Sequence, residues 1–160
     1  MVIVVLAMIS AIVVPRIKSM ESSREYRNFR LGLRRIAMEG REQAISRGSQ
    51  TRLALDESQP SITVLAVGED GQESPLETLP IPAGVGVVRM TVAGTDSSAS
   101  EWRVANYPDG TSDGGGVEFE AGSDSFYLAA EQDGTIVFGE GSLPDQAAKK
   151  WEAGEREQRQ

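Results

Sequence analysis

Residues 2–47 read VIVVLAMISAIVVPRIKSMESSREYRNFRLGLRRIAMEGREQAISR, and Gly48 follows. The second part of this stretch carries Tyr26, Phe29, Leu33, Ile36, Ala37, Gly40, Ala44 and Ile45 at the i, i+3, i+4, i+7 spacing of one helix face, with arginines between them. Gly48 stands where a left-handed C-cap belongs, one residue after Arg47. The first part has no polar face. Val2, Ile3, Val4, Val5, Leu6, Met8, Ile9, Ile12, Val13 and Val14 are apolar, and Ser10 is the single polar residue of 2–14. Pro15 removes one backbone hydrogen bond and crowds the carbonyl of Ala11, so it either ends a helix or kinks one that continues. If the helix continues from 2 to 47 it is about 69 Å long, against a radius of gyration of about 15 Å for a compact chain of this size. Its first half must then protrude, and a protruding all-apolar helix has to be covered by lipid or by other subunits.

The thirteen residues 2–14 span about 20 Å as a helix, short of a hydrocarbon core of about 30 Å. A cleaved secretory signal needs a basic start and a small-x-small cleavage site, whereas Met1 alone precedes the run and VVPRIKSM overlaps and follows its end. A buried core helix would usually show a polar side. The expectation is a membrane segment whose beginning lies upstream of Met1, with about eight further residues completing the span.

Composition narrows the chemistry. The 160 residues contain no cysteine and no histidine, which excludes disulfides, thiolate zinc sites and any Ser–His–Asp or Cys–His machine. The lysines lie at 18, 149 and 150, near the ends, where desolvation into a base is not expected. The reading is a non-enzymatic protein without cofactors. Charge is strongly partitioned. Residues 15–52 hold ten basic and four acidic side chains, a balance of +6, whereas 53–160 hold six basic against twenty acidic, a balance of −14. The acidic block repels phosphate, so nucleic acid is not an expected partner. The basic stretch is read as a solvated helix face or as a surface that meets acidic neighbours, with a nucleic-acid footprint as its alternative.

After Gly48 the period changes from 3.6 to 2. Strands are predicted at 51–55, 62–67, 85–92, 101–105, 116–120, 125–130 and 135–138, separated by turn signals at 69–72, 108–110 and 132–135. Asp133-Gly134 between YLAAE and TIVF is the strongest hairpin signal. Residues 79–82 read as an extended connector, because prolines keep them out of a sheet centre. The predicted fold class is α+β, a long N-terminal helix packed by its second half on an antiparallel sheet. The expected organisation is 1–18 as the membrane or filament-core half of the helix and 19–48 as its amphipathic half. Residues 49–144 form the β-rich head, and 145–160 a polar tail containing a short helix.

One loop has metal-like spacing. Asp109, Thr111, Asp113 and Glu120 match the EF-hand pattern, with Thr at the third position. An EF-hand needs flanking helices, and 117–120 alternates like a strand. The bland reading is a glycine-rich hairpin with its acids in solvent, and calcium is the alternative.

Together, VIVVLAMISAIVVPRI, RRIAMEGREQAISRGSQTRLAL and WRVANYPDGTSDGGGVEFE resemble type IV pilin-like proteins over most of the chain. Within that class the pattern is most similar to the H-type minor pseudopilins of type II secretion and to the FimT/FimU-like minor pilins. The family's Gly/Phe-Thr-Leu-x-Glu processing site would fall, by register on Pro15, before Met1. The resemblance implies a structural subunit of a secretion pseudopilus, made as a precursor, cut by a prepilin peptidase and methylated at its new N-terminus. It further implies a single pass through the bacterial inner membrane with the head in the periplasm. The implied partners are the major pseudopilin and the tip minor pseudopilins, and the implied role is support of protein export across the outer membrane. Arg16 and Lys18 alone would put the head inside, so the family's basic leader is needed to reverse the balance. Two alternatives accompany this reading: a minor type IV pilin serving pilus assembly or DNA uptake, and an anchored calcium-binding β domain.

Overall fold

The computed structural model describes the backbone of residues 2–145 and the side chains of residues 24–145. Among the described residues one helix, α1 (Val2–Arg47), precedes nine strands. Gly48 closes the helix at φ 63°, its N–H reaching the Ile45 carbonyl at 3.3 Å, as the C-cap signal requires. The face built of Phe29, Leu33, Ile36, Ala37, Gly40 and Ala44 is buried, and Tyr26 is half-buried at its edge. Ile45, assigned to that face from spacing, is a correction: it is 46% exposed. Its Cδ1 reaches the turn at Gly110, which covers only part of the side chain.

Strands β1 (Thr51–Asp56), β2 (Ser61–Val67), β3 (Glu73–Pro80) and β6 (Arg103–Asn106) form one antiparallel sheet in the order β3-β2-β1-β6. Strands β4 (Gly86–Val92), β5 (Thr95–Asp96), β7 (Gly115–Ala121), β8 (Asp124–Ala130) and β9 (Ile136–Glu140) form a second, in the order β5-β4-β7-β8-β9. The single expected sheet is therefore two. All seven predicted strands are present within a few residues. The stretch expected as a connector is one only in its second half: Leu79 and Pro80 end β3, paired with Ile62 and Ser61, while Ile81 and Pro82 lie outside any strand. The strand is possible because it lies on the sheet edge, where Pro75 and Pro80 cost no ladder bond on the open side. Asp133-Gly134 does turn the β8–β9 hairpin, closed by Gly134 N–H to the Glu131 carbonyl at 2.9 Å. Gly134 has φ 80°, and a Cβ there would fall 1.8 Å from the Gly110 carbonyl oxygen, so a side chain is excluded twice over.

One core is shared by the helix and both sheets. Phe29 meets Phe119 edge-on at 5.4 Å, Phe119 stacks on Phe126 at 5.3 Å, and Leu33 and Ile36 pack with Leu53, Ile62 and Val64. Trp102, 1% exposed, joins the sheets: its indole N–H is shared between the Thr91 carbonyl at 3.2 Å and that of Gly116 at 3.1 Å. Thr51 Oγ1 donates to the Gly40 carbonyl at 2.7 Å, tying β1 to the helix. After β9 the chain crosses the second sheet. Leu143 lies over Gly116, and its N–H donates to Glu118 Oε2 at 2.9 Å. The expected tail helix falls mostly in 146–160, outside the described residues.

Because the described part of the helix has its own buried stripe, a chain beginning near Ser19 is expected to fold as a monomeric β-containing head. Far-UV circular dichroism and sedimentation check this. A coil spectrum would contradict it.

Candidate assembly surface

The outer side of α1 is built by the residues the core does not use. Leu31 is 66% exposed and Met38 52%, and with Ile45 they recur every seven residues along the helix. Arg24, Arg27, Arg34 and Arg35 are exposed beside them. Arg35 pairs with Glu77 of β3, whereas Arg27 and Arg34 pair with no other described residue.

Where α1 passes the edge strand β9, a groove of about 420 Å³ opens, lined by Tyr26, Arg27, Arg30, Leu31, Arg34 and Phe138. Its floor is held by Arg30. The guanidinium lies 5.6, 5.5 and 5.2 Å from the rings of Tyr26, Phe126 and Phe138, and it pairs with Glu140 at 3.0 Å. The hydrogen bond to Glu140 raises the Arg30 pKa further, so the charge is fixed at every physiological pH. Sequence reasoning missed this site. The spacing of arginines 27, 30 and 34 was visible, but Phe138 and Glu140 lie about a hundred residues away in the chain.

The candidate calcium residues take other roles. Asp109 caps its own turn, Oδ1 accepting from Thr111 Oγ1 at 2.7 Å and Thr111 N–H at 2.9 Å. The hydroxyl bond first, then the backbone bond, holds its carboxyl below the usual range. Asp113 accepts from the Tyr107 hydroxyl at 2.7 Å, a bond that raises the phenol's pKa. Glu120 stands near the far end of β7, opposite Ser125, about 17 Å along the strand from Gly115. Among the described residues no group of three or more acids comes together to hold a metal. An occupied site at 100 times its dissociation constant would stabilise the fold by about 2.7 kcal/mol. We expect millimolar calcium to move the melting temperature by less than about 2 °C. A larger shift that Glu120→Gln abolishes would reinstate the site.

Val2, Ile3, Val4, Val5, Leu6, Met8, Ile9, Ile12, Val13, Val14 and Pro15 lie in the first part of α1, where side chains are not described. Among the described residues no helix is long and apolar enough to cross a membrane.

A helix whose amphipathic half is laid into antiparallel sheets is the fold of the pilin-like proteins. Two solved structures share it in particular. The minor pseudopilin EpsH from the type II secretion system of Vibrio cholerae superposes with a TM-score of 0.60, at 11% identity over 76% of this chain and 98% of that one. The type IV minor pilin FimU of Pseudomonas aeruginosa gives 0.56, at 12% identity over 79% and 93%. No protein-family profile and no curated protein matches the sequence.

Proposed function

We propose that this chain is a minor pseudopilin, a structural and non-enzymatic subunit of a type II secretion pseudopilus that supports protein export across the outer membrane. The observation that carries the reading is a division within α1. Residues 26–44 supply the head's own core, whereas the apolar run 2–14 ends twelve residues, about 18 Å, before Tyr26. That run is the bilayer anchor of the unassembled subunit and the filament core of the assembled one, with the head in the periplasm. At about 25 cal/mol per Å², a few hundred Å² buried against neighbouring helices contributes several kcal/mol, enough to offset part of the loss of lipid. Pro15 allows the bend that extraction needs. The partners under this reading are the major pseudopilin and the tip minor pseudopilins, and a prepilin peptidase acts on the precursor.

The likeness to FimU supports a second reading, a minor subunit of a type IV pilus. A DNA-uptake role is disfavoured by the charge of −14 over residues 53–160, and no duplex binding is expected at physiological salt. Deleting the gene in its own host separates these readings. Loss of protein export with pilus-dependent motility and transformation intact supports the pseudopilin, and the reverse pattern supports the pilin. Export and motility both unaffected would sink both.

A further inference from the structure

The two sheets end in four outer strands, and three of them are closed to further pairing. β3 carries Pro75 and Pro80, and β5 is two residues long. β6 is bonded on its outer side, where Asn106 bridges Ser112 and the Asp113 N–H reaches the Ala105 carbonyl at 3.1 Å. β9 has none of these devices. It holds no proline and no lysine, and it pairs with β8 without a bulge. The ladder fixes which of its backbone groups are free. Glu131 N–H bonds the Thr135 carbonyl and Gly141 N–H the Ser125 carbonyl, each at 2.8 Å, so the odd-numbered residues of this strand bond β8. Ile136, Phe138 and Glu140 therefore turn their N–H and C=O groups to the open side. That edge borders the groove on α1, where Phe138 and Leu31 supply apolar surface and the guanidiniums of Arg27 and Arg34 pair with no other described residue. Residues directly opposite in a sheet share a face, so a strand added to β9 would send every second side chain into the groove beside Phe138.

We propose that β9 and the groove receive an extended segment of a neighbouring pilin-like subunit other than this chain, added to the sheet as a further strand. The open backbone edge supplies the pairing, Leu31 and Phe138 take apolar side chains, and Arg27 and Arg34 take carboxylates. This deepens the filament-subunit reading and rests on it. A second copy of this chain fits less well: its other outer strands are closed, and joining two β9 edges sets one arginine-lined groove against another. The chain's own tail leaves from the far side of the sheet, where Asp145 lies 3.7 Å from Arg89 of β4, three strand spacings or about 14 Å from β9. A lipid headgroup is a poorer occupant too: Tyr26 lies about 18 Å past the end of the apolar run, beyond a headgroup layer of about 5–8 Å.

The test places the photocrosslinker p-benzoylphenylalanine at Leu31, which is 66% exposed, in the full-length chain in its own host. Irradiated intact cells should yield a product that mass spectrometry identifies as this chain joined to a different pilin-like subunit. Proline at an outward-facing N–H breaks no bond to β8 but blocks an incoming strand. Glu140→Pro should therefore lower the yield at least fivefold, whereas Glu140→Ala keeps it within twofold, and Ile136→Pro and Ile136→Ala should differ in the same way. Arg27→Glu with Arg34→Glu changes only exposed side chains and should also lower it at least fivefold. A product with a second copy, with residues 146–160 of the same chain or with lipid, or no product, overturns the proposal. So does a subunit product indifferent to the prolines or to the charge reversal. Membrane retention and co-purification with other pilin-like subunits are read in the same cells. Absence of the crosslink with both of these intact removes the contact alone, and loss of all three removes the filament reading with it.

Discussion

Replacing Leu6 or Ile9 with arginine is expected to abolish membrane retention of the full-length chain and its incorporation into any filament. Both positions lie inside an apolar run that contains no charge. An arginine near the centre of a membrane helix costs about 2.5–3.5 kcal/mol on insertion scales, a loss of roughly 70- to 400-fold in partitioning. The same guanidinium would be buried without a partner between packed helices in an assembled filament, where an uncompensated charge is at least as costly. Ile9→Leu keeps the apolar surface and should behave as wild type. Cell fractionation and a secretion assay check the prediction. Normal fractionation and normal export by either arginine variant would mean that residues 2–14 are neither anchor nor filament core.

The second large effect belongs to the head. Trp102→Ala is expected to destabilise it by about 3–5 kcal/mol, as for other buried aromatic truncations. Trp102 is among the largest fully buried side chains, and it fills the junction between the two sheets while its N–H serves a carbonyl on each of two paired strands, β4 and β7. For a domain of this size the melting temperature should fall on the order of 10–20 °C. Trp102→Phe retains most of the ring volume but loses the indole donor, and should cost about 1–2 kcal/mol. Chemical denaturation of the head measures both values. A loss below about 1 kcal/mol for the alanine variant would show that the sheets are joined by something other than this side chain.

The charged turns define a pH window. Asp56, Asp109 and Asp133 each accept hydrogen bonds within their own turns, and each carboxyl is held below its ordinary value. The largest cause is the Ser58 hydroxyl for Asp56, the Thr111 hydroxyl for Asp109 and the Thr135 N–H for Asp133. A depressed folded pKa contributes stability that is complete above the unfolded value, near 4, and is lost as pH falls through the folded one. These turns therefore tolerate neutral and mildly acidic conditions and loosen only in strong acid. All three carboxylates are at the surface, so the effect of each is small.

Much of this protein is determined by short-range sequence. The helical stripe from Tyr26 to Ala44, its glycine cap, seven strands and the Asp133-Gly134 hairpin are set by side-chain period and by residues that tolerate unusual φ, and these act over a few positions. The absence of histidine and cysteine and the basic–acidic partition are likewise properties of the chain alone. What the tertiary structure decided depends on partners distant in sequence. The strand at 73–80 forms because β2 offers its free edge to a segment that its prolines made look irregular. The strands divide into two sheets that Trp102 and a core shared with the helix join. Ile45 has the spacing of the buried face yet is 46% exposed, because only the turn at Gly110 reaches it. The groove exists because β9 brings Phe138 and Glu140 against Arg30. Periodicity tells which residues share a face; only the folded chain decides what that face meets, because each such contact forms at the cost of closing a loop whose ends carry no local signal of one another.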